Sequence, residues 1–170
     1  LRECVENYHK KAKDNLYIDT SFHLIISDPS PQVLGQELPA LARDGYTSFK
    51  VFMTYDDLVL NDEELLKVFE VAKKEKTLVM VHAEGYDAIR YLTKKLEEEG
   101  KVAPYFHGIS RPQIVEREAT HRAISHAQIV DTPIVIVHVS GNEALSQIKW
   151  AKEKGIRIFS ETCPQYICLT

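Results

Sequence analysis

The sequence predicts an α/β fold built on a parallel sheet. Two observations carry this. Strand-like and helix-like segments alternate along the whole chain. The strand-like segments, SFKVFM (48–53) and PIVIVHV (133–139) among them, are mostly apolar rather than alternating, as strands covered on both faces are. Such alternation lays helices over a parallel sheet.

Taken in order, residues 1–13 read as the end of a helix, and LYIDTSFHLII (16–26) as a strand. Pro31 starts a short helix running to about Arg43. Residues 48–53 are β-branched and aromatic, hence a strand. Asn61 or Asp62 caps a helix reaching Lys76, with Leu65, Leu66, Phe69 and Val71 at roughly helical spacing. A strand over 77–82 precedes a helix from about Asp87 to Glu99, which Gly100 stops. A loop over 101–112 ends in Arg111-Pro112. A helix over 113–130, a strand over 133–139, a helix over 142–154, a stop at Gly155 and a strand over 156–161 complete the order. No Gly-rich phosphate loop follows any strand, which weakens a nucleotide-binding reading. An open doubly wound sheet and part of a (β/α)8 barrel both fit this pattern.

The 170 residues give room for one ordinary domain, 44% apolar and 27% charged. A net charge of −4 gives no pull toward nucleic acid or an anionic membrane. No apolar run nears a membrane span, and no signal peptide is expected. Three cysteines, Cys4, Cys163 and Cys168, with no C-x-x-C pair fit a reducing cytoplasm. The first residue is leucine, so the natural start is expected to lie elsewhere.

Two strands end on one pattern. LVMVHAEG (78–85) and IVIVHVSG (134–141) each run through apolar residues to a histidine, His82 and His138. Parallel α/β folds build their sites at these C-terminal strand ends. A neutral imidazole there is a good ligand for zinc or a similar cation. The plainer alternative is a buried histidine satisfied by a carbonyl. Lys50 favours the site. It interrupts an apolar strand between Phe49 and Val51, and a buried, unpaired ammonium costs several kcal/mol. It either snorkels from an edge strand, pairs with a carboxylate, or loses its proton and becomes a nucleophile. A neutral amine takes up carbon dioxide as a carbamate, whose two oxygens can bridge metal ions ~3.5–4 Å apart.

GYTSFKVFMTY, VMVHAEGYDAI, SRPQIVEREATHRAI, PIVIVHVSG and ETCPQY together resemble the dihydropyrimidinase/hydantoinase family of metal-dependent amidohydrolases. The resemblance implies a (β/α)8, or TIM, barrel, of which residues 1–170 would be the central part, about strands three to seven. It implies that Lys50 is an N6-carboxylysine bridging two divalent metal ions, taken as zinc. His82 and His138 would hold the more exposed metal. Tyr55 would hydrogen-bond the substrate and stabilise its oxyanion. The implied activity is hydrolysis of a dihydropyrimidine or hydantoin ring to an N-carbamoyl amino acid by a two-metal-activated hydroxide. Alternatives are an allantoinase, a dihydroorotase, or a non-catalytic signalling relative. The implied protein is cytoplasmic, a homotetramer or homodimer, and acts on a small cyclic amide.

The family usually has asparagine where Gly85 stands. The family's H-x-H pair does not occur here, nor is its late aspartate found, and five strands cannot close an eight-stranded barrel. The chain alone is therefore expected to be inactive. Outside these motifs, His107 is expected to be a structural loop residue. His121 and His126 are expected on a solvated or helix-packing face. Glu161 and Thr162 are expected to orient the site through hydrogen bonds. His23 has no evident role, and Cys163 has no base at a recognisable spacing.

Overall fold

The computed structural model describes residues 1–169. Five strands form one sheet: β1 (Leu24–Ile25), β2 (Ser48–Phe52), β3 (Leu78–His82), β4 (Ile134–Ile136) and β5 (Ile158–Ser160). Every neighbouring pair is parallel, and the strands lie in chain order across the sheet. A doubly wound sheet reverses its order at a switch point. This sheet never does, so it is an arc of a barrel.

The helices are α1 (Arg2–Ala12), α2 (Leu38–Arg43), α3 (Asp62–Glu75), α4 (Tyr86–Glu98), α5 (Tyr105–Ile109), α6 (Gln113–Val130), α7 (Asn142–Glu153) and α8 (Pro164–Cys168). A π-helical stretch, Val33–Glu37, runs into α2. None of the described helices is long and apolar enough to cross a membrane.

One face of the sheet is dry. Phe49, Val51, Val79, Val81, Ile134 and Ile136 are buried there, in one core with Phe69 and Ala72 of α3, Ala123 and Ile124 of α6 and Ile148 of α7. Fully burying a side chain such as Phe or Val contributes ~1.5–3 kcal/mol. The opposite face carries Lys50, Phe52, Met80 and Val135, all partly exposed. Both faces are apolar in composition, but only one meets helices here.

α3 starts on Asn61, one of the two caps its sequence offers. The Asn61 side chain accepts from Glu64 N at 3.0 Å, and the Glu64 carboxylate accepts from Asn61 N at 2.9 Å. This reciprocal box satisfies two otherwise unpaired donors. α6 is tied to that same end of α3. Asp62 accepts from Arg122 at 2.8 Å, and its carboxylate lies 3.1 Å from His126 Nε2. His126 thus faces the neighbouring helix. His121 does so too, bonding Gln147 of α7 at 2.9 Å.

Three expectations need correcting, and one helix lies past the last expected strand. The strand over 16–26 shrinks to Leu24–Ile25, because only those residues find ladder partners on β2; Tyr17 and Ile18 stand exposed. The loop over 101–112 contains helix α5. Pro164 opens α8 at a position where a missing N–H costs nothing. The strand over 133–139 ends at Ile136, for a reason that lies at His138.

Replacing Asn61 by Ala removes the cap. Stability should fall by ~1 kcal/mol with the denaturant slope unchanged, a shift that urea titration of the two proteins will measure.

Candidate metal centre

Side chains alternate across a strand, so register decides who meets whom. β2 and β3 pair Lys50 with Met80 and Phe52 with His82. All four therefore share the partly open face. The Lys50 amine lies 3.6 Å from the centre of the Phe52 ring, and that ring stacks on His82 at 5.6 Å. Lys50 Nζ donates to Val51 O at 3.3 Å. Among the described residues no carboxylate forms an ion pair with it, and β2 is an interior strand. Neither plain explanation of this lysine, pairing or edge snorkelling, describes it. Burial lowers its pKa from 10.5 to about 8, against a weaker upward pull from the Glu161 charge.

His138 reaches the same place by a different device. β4 pairs Ile136 with Val81, which puts Ile136 in the dry core. Strict alternation would send His138, two residues on, into the helical layer as well. Instead His138 has φ +42°, in the left-handed region that bulky residues avoid. The chain turns there, β4 stops, and the imidazole packs edge-on to His82 with ring centres 4.5 Å apart. Burial, then the His82 and Lys50 charges, push the His138 pKa down, which favours the neutral ring that metals bind.

Tyr55 follows β2 with φ +74°. Its ring centre lies 5.0 Å from that of His82. Burial and then the Glu84 charge raise the phenol pKa, so it remains an O–H donor. The structure thus brings Lys50, His82, His138 and Tyr55 to one end of the sheet.

Two partners went unnoticed in the sequence. Glu84 lies 2.8 Å from His82 Nε2, and Arg111 approaches Glu84 at 3.8 Å. The hydrogen bond from His82 holds the Glu84 carboxyl below its usual pKa, against the effect of burial. Glu84 sits two residues after His82, the spacing that returns a side chain to the same face, and that signal was available. A cavity of about 420 Å³ opens over these groups, lined also by His107, Glu116 and Tyr166. His107 is therefore a wall of this cavity as well as a helix residue, and Arg111 Nη1 lies 3.1 Å from its Nδ1. A second cavity, of about 680 Å³, exposes Lys50, Met80, His138 and Glu161 from inside the arc. Glu161 acts on Lys50 only through its charge, while Thr162 donates to Val139 O at 2.8 Å. His23 bonds Ser48 at 2.6 Å, away from the histidine pair. Among the described residues no three His, Cys, Asp or Glu side chains gather as a ready metal cluster.

An all-parallel arc with polar groups at its C-terminal strand ends defines a segment of a (β/α)8-barrel protein. Its relatives are D-hydantoinases and dihydropyrimidinases. The chain is 46% identical to the D-hydantoinase of Ralstonia pickettii, over all of this chain and 37% of that protein. It superposes on a solved D-hydantoinase with a TM-score of 0.97 at 46% identity, and on the dihydropyrimidinase of Brevibacillus agri with 0.95 at 41%, covering 37% of each. The chain is thus related along its whole length to a central segment of the dihydropyrimidinase/hydantoinase family and spans little more than a third of these relatives. No family model matches it.

The Lys50 shift has a sign. Between about 8 and 10.5 the unfolded chain binds more protons at this site than the folded one, so stability should rise with pH across that window. In metal-free protein, Lys50→Met should flatten this rise. Denaturant midpoints measured across the window will show it, and an unchanged slope would mean the amine is hydrated.

Proposed function

We propose that the chain is the central part, residues 1–170, of the TIM-barrel catalytic domain of a cyclic amidohydrolase. The substrate class is a dihydropyrimidine or hydantoin ring, opened to an N-carbamoyl amino acid. One observation carries this reading: an amine with no carboxylate partner among the described residues shares a strand-end face with two imidazoles 4.5 Å apart. The names of the relatives, D-hydantoinase and dihydropyrimidinase, support the same substrate class.

The donor set fits a metal. His138 is biased toward its neutral form, and Lys50 is close enough to neutrality to take up carbon dioxide. The proton released in forming the carbamate passes to solvent. Lys50, as N6-carboxylysine, together with His82 and His138 would hold divalent cations, zinc by preference for imidazole and oxygen donors. Two such ions would supply Lewis-acid polarisation of the ring carbonyl and a water of lowered pKa.

The chain's own groups do the rest. Tyr55 donates its phenolic proton to the oxygen that becomes negative as the carbonyl is attacked, a donor matched to charge that develops only then. Glu84, held ionised between His82 and Arg111, orients the His82 ring. It is also the side chain that would have to yield or share if His82 held a cation. Phe52 closes one side of Lys50 and keeps bulk water from it. A cytoplasmic homo-oligomer completes the proposal, in keeping with three unpaired cysteines.

In the intact protein, Lys50→Ala should lose both metal and ring-opening activity, and a short carboxylic acid should restore part of each. Full metal content in that variant would end the carbamate reading. Tyr55→Phe should keep its metal and lose roughly 10²–10³ in kcat on dihydrouracil or hydantoin, the usual loss for one oxyanion donor. Turnover near the parent value would reduce Tyr55 to packing.

A further inference from the structure

The turn that delivers His138 ends on one carboxylate. Glu116, on the first turn of α6, lies within hydrogen-bond distance of three donors from the β4–α7 loop. Ser140 N donates to Oε1 at 2.9 Å, while Gly141 N and Ser140 Oγ donate to Oε2 at 2.7 and 3.1 Å. Both oxygens are used, so the loop is held in position and orientation. From the other side, the end of β5 grips the same loop: Val139 N donates to Glu161 O at 2.8 Å, and Thr162 Oγ1 to Val139 O at 2.8 Å. His138, with φ +42°, stands immediately before these anchors.

The approach of Glu116 explains a glycine. Gly141 has φ −96°, open to any residue. A Cβ at Gly141 would nevertheless sit 2.8 Å from Glu116 Oε2 and 3.3 Å from Gln113 Oε1. The need for glycine is therefore steric. Because Oε2 already accepts two hydrogen bonds, it cannot step aside freely.

The geometry points to Glu116 as a positioning residue for the metal centre. Its carboxylate fixes residues 140–141 and so holds His138 in the left-handed backbone that turns the imidazole toward His82. Freed from it, residue 138 relaxes toward an extended φ, and the ring swings toward the helical layer. This rests on the reading of His138 as a metal ligand.

The test uses the intact protein, stripped of metal and titrated with zinc alone against a chelator, beside far-UV melting. Glu116→Gln keeps the size but replaces one acceptor with an N–H donor facing N–H donors. It should weaken zinc binding 10–100-fold, the usual effect of losing a group that orients a ligand, with the melting temperature little changed. The cobalt-substituted protein should show an altered d–d spectrum. Gly141→Ala should weaken binding likewise, and in a Glu116→Ala background it should add no further loss. His138→Ala is the control. If it binds zinc like the parent, the ligand reading falls and this proposal with it. If it loses zinc while Glu116→Gln binds within twofold of the parent, positioning alone is overturned. Additive losses from Gly141→Ala and Glu116→Ala would overturn it equally.

Discussion

The site depends on side chains alternating across a parallel sheet, and on one place where that rule is broken. Register alone sets Lys50, Phe52 and His82 on one face, because β2 and β3 pair without a bulge. The rule would exclude His138. A left-handed residue restores it, at a backbone cost of ~1–2 kcal/mol. Such a conformation persists only where its surroundings dictate it. Here they are the Glu116 carboxylate on one side and the end of β5 on the other. The strained residue, its anchors and the neighbouring imidazole form one unit.

α6 is the common support. Its first two turns bear on both loops that leave the histidine strands. Gly85 N donates to Val115 O at 3.3 Å, and a Cβ at Gly85 would meet Glu118 at 2.9 Å. Glu116 holds the second loop, and Arg122 and His126 fasten the helix to α3. The glycine three residues after each histidine is thus where a loop passes close to α6. Glu118 at Gly85 is bonded only by another side chain, Arg122, at 2.8 and 3.5 Å, and the two can shift together, so this position is the more tolerant. Glu116 at Gly141 is held by its own bonds and does not.

Much of this was legible in the sequence. Alternating segments give the parallel sheet, and Asn61 or Asp62 marks the start of α3. The repeated strand-histidine-glycine pattern, with a lysine inside a third strand, points to residues that the fold gathers at one end of the sheet. What the sequence withheld is tertiary. Periodicity left barrel arc and doubly wound sheet both open; the motif resemblance favoured the barrel, and the strand order, which no local pattern encodes, agrees with it. Residues 16–23 have the composition of a strand but find no partner to pair with. His138 looked equivalent to His82, yet arrives by a backbone turn rather than by alternation. Glu116 lies inside a charged helical stretch that reads as a solvated or helix-packing face, with nothing local to mark it out. Only the fold shows that it faces three backbone and hydroxyl donors 24 and 25 residues away.

The sheet order also shapes how such a chain comes together. Because spatial order equals chain order, each new strand docks at the growing edge, beside the strand made just before it. No strand has to be threaded between two already paired, and each loop to be closed spans one helix-bearing connection. Assembly can thus keep pace with synthesis from the N-terminal side, one β-α unit at a time. The residues of the candidate site are then gathered in sequence, with Lys50 and Tyr55 first, His82 next, and His138 last, once α6 has emerged to receive its loop.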